Sequence, residues 1–394
     1  MIDLGADGAA RNSGGGLADD EIARAWAYLS RVAEPPCPAL TDLVLRCGPV
    51  EAAARVRAGA VGAALLEHVQ ARRHIDCAAE DLDVLQRLGG RLVTMGDAEW
   101  PVLAFRAFDG APQRLERMGS RAHPPLVLWV TGPVRLDEIT ARAAAIVGTR
   151  AATAYGEHVA ADLAAGLVAR DAAVVSGGAF GVDGAAHRAA LAAGGPTVAV
   201  LAGGIDVPYP AGHTSLLRRI GEEGLVVSEY PPGERPARHR FLTRNRLVAA
   251  LAGATVVVEA GARSGAANTA AWSRALGRPV CAVPGPVTSA ASVGCHALLR
   301  AGAQLVTRAE DIVELIGRMG EFAPEEQRPT TVLDGLAEIE QRVYDALPAR
   351  AARTADEIAV AAGLPATAIL GPLAVLELSG LVTAHAGRWQ RVRR

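Results

Sequence analysis

Glycine turns and a run of arginines are the chemistry this sequence offers. Ala173 to Val175 is apolar and leads into Ser176-Gly177-Gly178 and, past Gly181, into a helical pattern that opens near Val182. Glycines admit positive φ and a close approach, while free N–H groups and the helix dipole favour an anion there. A plain strand-to-helix joint would look the same, so the stretch is ambiguous alone. Similar turns follow other apolar runs: Gly148-Thr149-Arg150, Gly203-Gly204, Gly261-Ala262-Arg263-Ser264-Gly265 and Pro284-Gly285-Pro286. In an open parallel sheet, ligands collect beyond the carboxyl ends of the strands, so these turns would share one rim. The segment RPARHRFLTRNR adds Arg235, Arg238, Arg240, Arg244 and Arg246, with Phe241 among them. Guanidinium groups for phosphates and a ring for base stacking are what binding one nucleic-acid strand requires. The plain alternative is a solvated face in a chain that uses arginine for its cations.

Proton-transfer chemistry is less well supplied. Asp183, Asp206, Glu229 and Glu259 stand near strand ends, where carboxylates commonly cap helices or pair with arginine. Asp183 is expected to shape the Ser176 turn. His187, one helical turn later, is expected to make a structural hydrogen bond, since a metal would want further ligands. There is no G-x-S-x-G, H-E-x-x-H or P-loop, and IVGTRAATAYG lacks the G-x-G-x-x-G dinucleotide spacing. No catalytic residue, metal or cofactor is expected.

Composition narrows the field further. The 40 basic residues are all arginine, which removes Schiff-base and P-loop lysine chemistry. A net charge of -2 means that any nucleic-acid surface must come from local clustering. The five cysteines are scattered without C-x-x-C spacing and read as buried thiols in a reducing compartment. With no apolar run of ~18 residues, a cytoplasmic protein that does not enter a membrane is expected.

The elements that would position these residues follow from periodicity. Residues 1–17 are small and polar and read as a disordered tail. Residues 18–120 read as a small all-α domain of SAM or helix-hairpin-helix type, with a helix, Gly turn, helix pattern in LRCGPVEAAARVRAG. Over residues 121–318 continuous apolar strands alternate with helices, as in a doubly wound, Rossmann-like parallel sheet covered on both faces. Residues 319–333 read as a linker. Residues 334–394 read as a winged helix, with Thr354 and Glu357 as a capping box and Gly363 at the bend.

Taken in order, IVGTRAATAYG, VVSGGAFGVDGAAHRAAL, TVAVLAGGIDVPYP, VVSEYPPG, FLTRNRLVAAL, VVVEAGARSGAANTA and PVCAVPGPV resemble the bacterial DNA-processing protein A (DprA/Smf) family. The resemblance spans roughly Pro124 to Gly317. It implies an extended Rossmann domain that binds single-stranded DNA without base specificity. It also implies a dimer that shields incoming DNA and loads the recombinase RecA during transformation, with no established catalysis. By the same resemblance Gly148, Thr149, Arg150, Ser176, Gly177, Gly178, Gly181, Arg238, Arg240, Phe241, Arg244, Asn245 and Arg246 would hold the strand. Ser264, Gly265 and Thr269 would line the rim, and the Gly294 to Val306 segment, with His296 and Leu299, would form a surface shared by dimer and recombinase. Three features depart from the family. His213 replaces the usual asparagine after Tyr209-Pro210, a nearby lysine is missing whose charge Arg218 or Arg219 could supply to the strand, and Asn268 is unusual. The presumed recognition helix, Pro365 to Gly380, has no Arg or Lys, so Arg388, Arg391, Arg393 and Arg394 on the wing are better candidates for nucleic-acid contact. A Rossmann-like phosphoribohydrolase is the enzymatic alternative, although its G-G-x-G-T-x-x-E signature is missing. A transcription regulator using the winged helix is a third.

Overall fold

The computed structural model describes residues 15–110, 112–262, 264–317, 335–348 and 351–392. Residues 1–14 of the expected tail, the 319–333 linker, Arg263, Arg393 and Arg394 lie outside the described residues. The first helix, Gly15–Val32, begins inside the stretch read as the tail, so residues 15–17 are helical. The chain forms two compact units, Met1–Ala323 and Pro324–Arg394.

The first unit is built on nine strands: β1 (Gly90–Thr94), β2 (Val127–Thr131), β3 (Ala143–Val147), β4 (Ala173–Ser176), β5 (Thr197–Val200), β6 (Leu225–Ser228), β7 (Ala254–Val257), β8 (Val280–Ala282) and β9 (Gln304–Leu305). They lie in the order β1-β2-β6-β5-β4-β3-β7-β8-β9. From β6 to β9 across the sheet every pair is parallel, whereas β2 joins β6, and β1 joins β2, antiparallel. Strands β3 to β8 are buried along their whole length, which explains their unbroken apolar runs.

The order fixes where a ligand can sit. The chain steps from β3 outward through β4, β5 and β6, then crosses back to continue on the other side of β3 with β7. That reversal leaves a crevice beyond the carboxyl ends of β3, β4 and β7. The return connection carries the helix Arg238–Ala250, so its arginines are delivered to the same crevice.

Residues 18–120 are not an all-helical, separate domain. The segment contains β1, which extends the main sheet, and its helices share one apolar core with that sheet. Trp26, Tyr28, Leu29 and Leu40 cluster with Val127 and Trp129 of β2 and with Leu217 and Ile220. Gly90 permits the pairing: an added Cβ would come 2.8 Å from the Val130 carbonyl oxygen. The Gly turn within LRCGPVEAAARVRAG is present, since Pro38–Ala58 is broken by Gly48 at φ 79 before Pro49.

In the second unit the helices Glu338–Asp345, Ala355–Ala362 and Leu370–Leu378 pack around Val343, Ile358, Leu373 and Leu376. Strands β10 (Arg353–Thr354), β11 (Val382–His385) and β12 (Arg388–Arg391) form a sheet in the order β10-β12-β11. The Thr354 hydroxyl accepts from the Glu357 N–H at 3.3 Å, and the Glu357 carboxylate accepts from the Thr354 N–H at 2.9 Å.

Candidate nucleic-acid interface

At the crevice lies a cleft of about 820 Å³. Its walls are the turn after β3 (Gly148, Thr149, Arg150), the turn after β4 (Gly177, Ala179, Asp183) and the turn after β7 (Gly261, Ser264, Gly265). Arg238, Phe241, Leu242, Arg244 and Asn245 of the arginine helix, together with Tyr209 and Thr269, complete it.

Two glycines are required by close packing. A Cβ on Gly177 would sit 2.4 Å from the Arg244 Nη1, and one on Gly181, at φ +73, would sit 2.3 Å from the Thr149 carbonyl oxygen. The β3 and β4 turns therefore touch through bare backbone. The Asp183 carboxylate accepts N–H bonds from Gly177 at 3.1 Å and Ala179 at 3.4 Å, and so holds the β4 turn in shape. Burial raises its carboxyl above the ordinary range, with Arg244 and these N–H groups pulling the other way. On the β7 side the Ser264 hydroxyl accepts from the Ala266 N–H at 3.1 Å, capping the helix Gly265–Ala275. The positive end of that helix dipole opens on the cleft.

The cationic groups of the cleft occupy two levels. Arg244 lies beneath the floor, where Nη1 donates to the Gly177 carbonyl at 2.6 Å and also to the Val200 carbonyl. Burial pulls this guanidinium down to about 10, with Asp183 opposing the shift, so it stays charged at neutral pH. Its Nε is buried with no hydrogen-bond partner. Arg150 and Arg238 are exposed at the rim and form no ion pair among the described residues. Arg150 lies over the Phe241 ring, 5.2 Å from its centroid, and Phe241 stands 5.3 Å from the Tyr209 ring. The result is a row of cation, ring and ring across an opening whose lining holds one carboxylate, Asp183.

Several residues expected in the site are elsewhere. Arg246 is fully buried, donating to both Glu229 oxygens at 2.8 and 2.6 Å and to the His123 carbonyl at 2.9 Å. Arg240 is buried beneath the N-terminal helices, with Glu34 at 2.7 Å and Glu234 at 2.7 Å. Both guanidinium groups are already satisfied, which removes them as strand ligands. Burial acts to raise Glu34, but its bonds to Arg240 outweigh this and hold its carboxyl below the usual range. The Ser176 hydroxyl is buried and donates to the Ile146 carbonyl at 2.6 Å, and Gly178 is buried outside the cleft lining. Gly181 likewise acts through the turn contact and does not line the cleft. Arg218 is exposed away from the cleft, 3.8 Å from Glu222. His296, 3.0 Å from the Gly285 carbonyl oxygen, and Leu299, expected on a separate protein-contact surface and not in the cleft, are half-buried on the helix Val293–Arg300. His187 bonds Thr197 at 2.8 Å, not Asp183, and burial pushes its imidazole down to about 3.

Each departure from the family pattern has a definite place. His213 is buried with Nδ1 3.0 Å from the Gly178 carbonyl oxygen and Phe180 edge-on at 4.7 Å. Asn268 accepts from the Asn245 side chain at 3.2 Å, tying the arginine helix to the β7 side. The four strand-end acids are all engaged structurally. Glu259 accepts from the Thr153 N–H at 2.9 Å and hydroxyl at 2.6 Å, and Asp206 accepts from the Gly233 N–H at 2.8 Å. Tyr209 lines the cleft but is not among the residues expected there, although it follows the Gly203-Gly204 turn closely in the chain. A ring beside a glycine edge was the available signal. Glu34 and Glu234 as arginine clamps left no signal, since Glu34 lies 206 residues from Arg240 in the chain.

Fold and site together define an α/β protein with a glycine- and arginine-lined cleft at the switch point of a doubly wound sheet, followed by a winged-helix unit. The model of the DNA recombination-mediator protein A family matches residues 91–317, and that of the DprA winged helix domain matches residues 326–388. The chain belongs to the DNA-processing protein A (DprA/Smf) family. It is 67% identical over 374 residues, 95% of each chain, to the putative DNA processing protein DprA of Mycobacterium tuberculosis. Protein Smf of Escherichia coli is 34% identical over 277 residues, 68% of this chain and 72% of that one. The X-ray structure of DNA processing protein A from Streptococcus pneumoniae superposes with a TM-score of 0.59 at 29% identity, covering 74% of this chain and 96% of that one. Among the described residues no single helix is long and apolar enough to cross a membrane, and no cluster of three or more metal-capable side chains occurs.

Proposed function

We propose that this protein binds single-stranded DNA without base specificity in the cleft, shields it, and passes it to RecA. The observation that carries this is the Arg150, Phe241 and Tyr209 row over a cleft with one carboxylate in its lining. Phosphates would sit at the glycine turns, against the helix start at Gly265 and within the field of Arg244 and Arg150. Bases would stack on Phe241, an arrangement every base can satisfy because every base has a π face. The protein acts in the cytoplasm as a homodimer through the Val293–Arg300 helix. Support for that surface is exposed apolar area, Val293 at 41% and Leu305 at 53%, beside the short edge strand β9.

On this reading the protein catalyses nothing. The acids that a phosphoribohydrolase would need are committed to caps and ion pairs, Glu259 to Thr153 and Glu229 to Arg246. The winged helix does not read bases through its Leu370–Leu378 helix, which has no cationic side chain. Fluorescence anisotropy with labelled oligothymidine and mixed-sequence strands tests the proposal. Similar affinities for both, with weaker binding to duplex, are expected. Strong preference for one duplex sequence, or release of free base from nucleoside monophosphates by the purified protein, would contradict it.

A further inference from the structure

A second cavity, of about 760 Å³, lies at the far end of the helix Gly265–Ala275. Its lining includes Arg114, Arg117, Arg274 and Arg278 and contains no carboxylate. Two of the arginines build the wall. Arg274 donates to the Ala301 carbonyl at 3.1 Å, and half-buried Arg278 donates to the Ala104 carbonyl at 3.2 Å. The Nε of Arg278 is buried without a partner, and desolvation alone lowers its guanidinium, with no acid opposing. The other two are free. Arg114 and Arg117 are exposed and make no hydrogen bond or ion pair among the described residues.

Four like charges around one cavity repel one another unless an anion enters, and guanidinium forks suit phosphate oxygens. The Ser264 end of the same helix opens on the first cleft. Its 11 residues span about 16 Å at 1.5 Å per residue. That is about five phosphate spacings at the ~3.4 Å rise of a duplex strand, and fewer for an extended one. Between the two ends the exposed line of Ala267, Ala271 and Arg274 carries no acid.

We infer that the Arg114, Arg117, Arg274 and Arg278 cavity is a second phosphodiester site, taking the continuation of a strand held in the first cleft. This rests on the proposed single-strand binding, and the test separates the two. Affinities are measured for oligothymidines of about 6 and about 20 nucleotides, with intact protein and with Arg114→Ala/Arg117→Ala. The double variant is expected to bind the longer strand roughly 3- to 10-fold more weakly, with the salt slope reduced by about 1.4, and the shorter one unchanged. Arg114→Lys/Arg117→Lys, which keeps the charge, is expected to recover most of the loss. Unchanged affinity at both lengths, or equal loss at both, overturns the second site while leaving the first. Unchanged DNA binding with weakened self-association on gel filtration would assign the cavity to a protein contact and overturn it too. If intact protein binds neither strand, the single-strand reading falls first.

Discussion

Arg246 and Arg150 carry the same side chain into neighbouring parts of one fold and meet opposite fates. Arg246 is sealed against Glu229 with no exposure, whereas Arg150 lies in solvent over Phe241 and has no acid partner among the described residues. A buried guanidinium that is paired with a carboxylate and fully hydrogen-bonded, as Arg246 is, has nothing left for a ligand, and removing either partner leaves a costly buried charge. An exposed one without a partner contributes little to stability and keeps its full charge for a phosphate. Arginine content in RPARHRFLTRNR is therefore not DNA-binding content. Three of its five arginines differ in role: Arg246 and Arg240 fasten the fold, while Arg244 holds the cleft floor.

The contrast breaks most visibly at the buried end. Arg246→Ala leaves Glu229 charged and unpaired, and is expected to cost about 3 to 5 kcal/mol in urea denaturation. Replacing both partners with apolar residues, Arg246→Met with Glu229→Leu, should recover much of it. A loss under about 1 kcal/mol in the single variant would mean that the pair is not the fastening described.

Buried His187, on the core side of the β4 turn, gives a pH signature. Its folded value of about 3 lies below the ordinary 6.5, so the unfolded chain takes up a proton that the folded chain refuses. Its contribution is intact above pH ~6.5 and is lost as pH falls toward 3, at no more than about 1.4 kcal/mol per pH unit. His187→Asn should flatten the stability profile between those limits. An unchanged slope would show that His187 is solvated or charged in the fold.

At the open end, Phe241→Ala is expected to weaken single-strand binding by about 1 to 3 kcal/mol, the worth of one stacked base. Phe241→Trp should retain binding. If both bind like the parent, the ring is packing for Arg150 and touches no base.

The sheet and the rim were legible because both follow local rules. Unbroken apolar runs such as TVVV mark buried parallel strands, and the glycine turns fall at their carboxyl ends. What stayed hidden depended on distant pairing. Nothing around Arg240 announces Glu34, and β1 reads as the end of a helical region because its partner is β2. Ser176 misled for a related reason: a hydroxyl before Gly-Gly suggests a ligand, but in the fold it points back to the Ile146 carbonyl. Sequence spacing could show which turns come together at one cleft, but not which cations were already neutralised.

The most direct measurement is the salt dependence of single-strand affinity for the parent protein and Arg150→Ala. Log affinity should fall linearly with log salt, and the variant should bind more weakly with a slope smaller by about 0.7, one phosphate contact. Its thermal midpoint should change little, since the side chain's contact with the fold is the exposed one over the Phe241 ring. Salt-independent binding, or a variant with the parent's affinity and slope, would contradict the assignment of the cleft to a phosphodiester backbone.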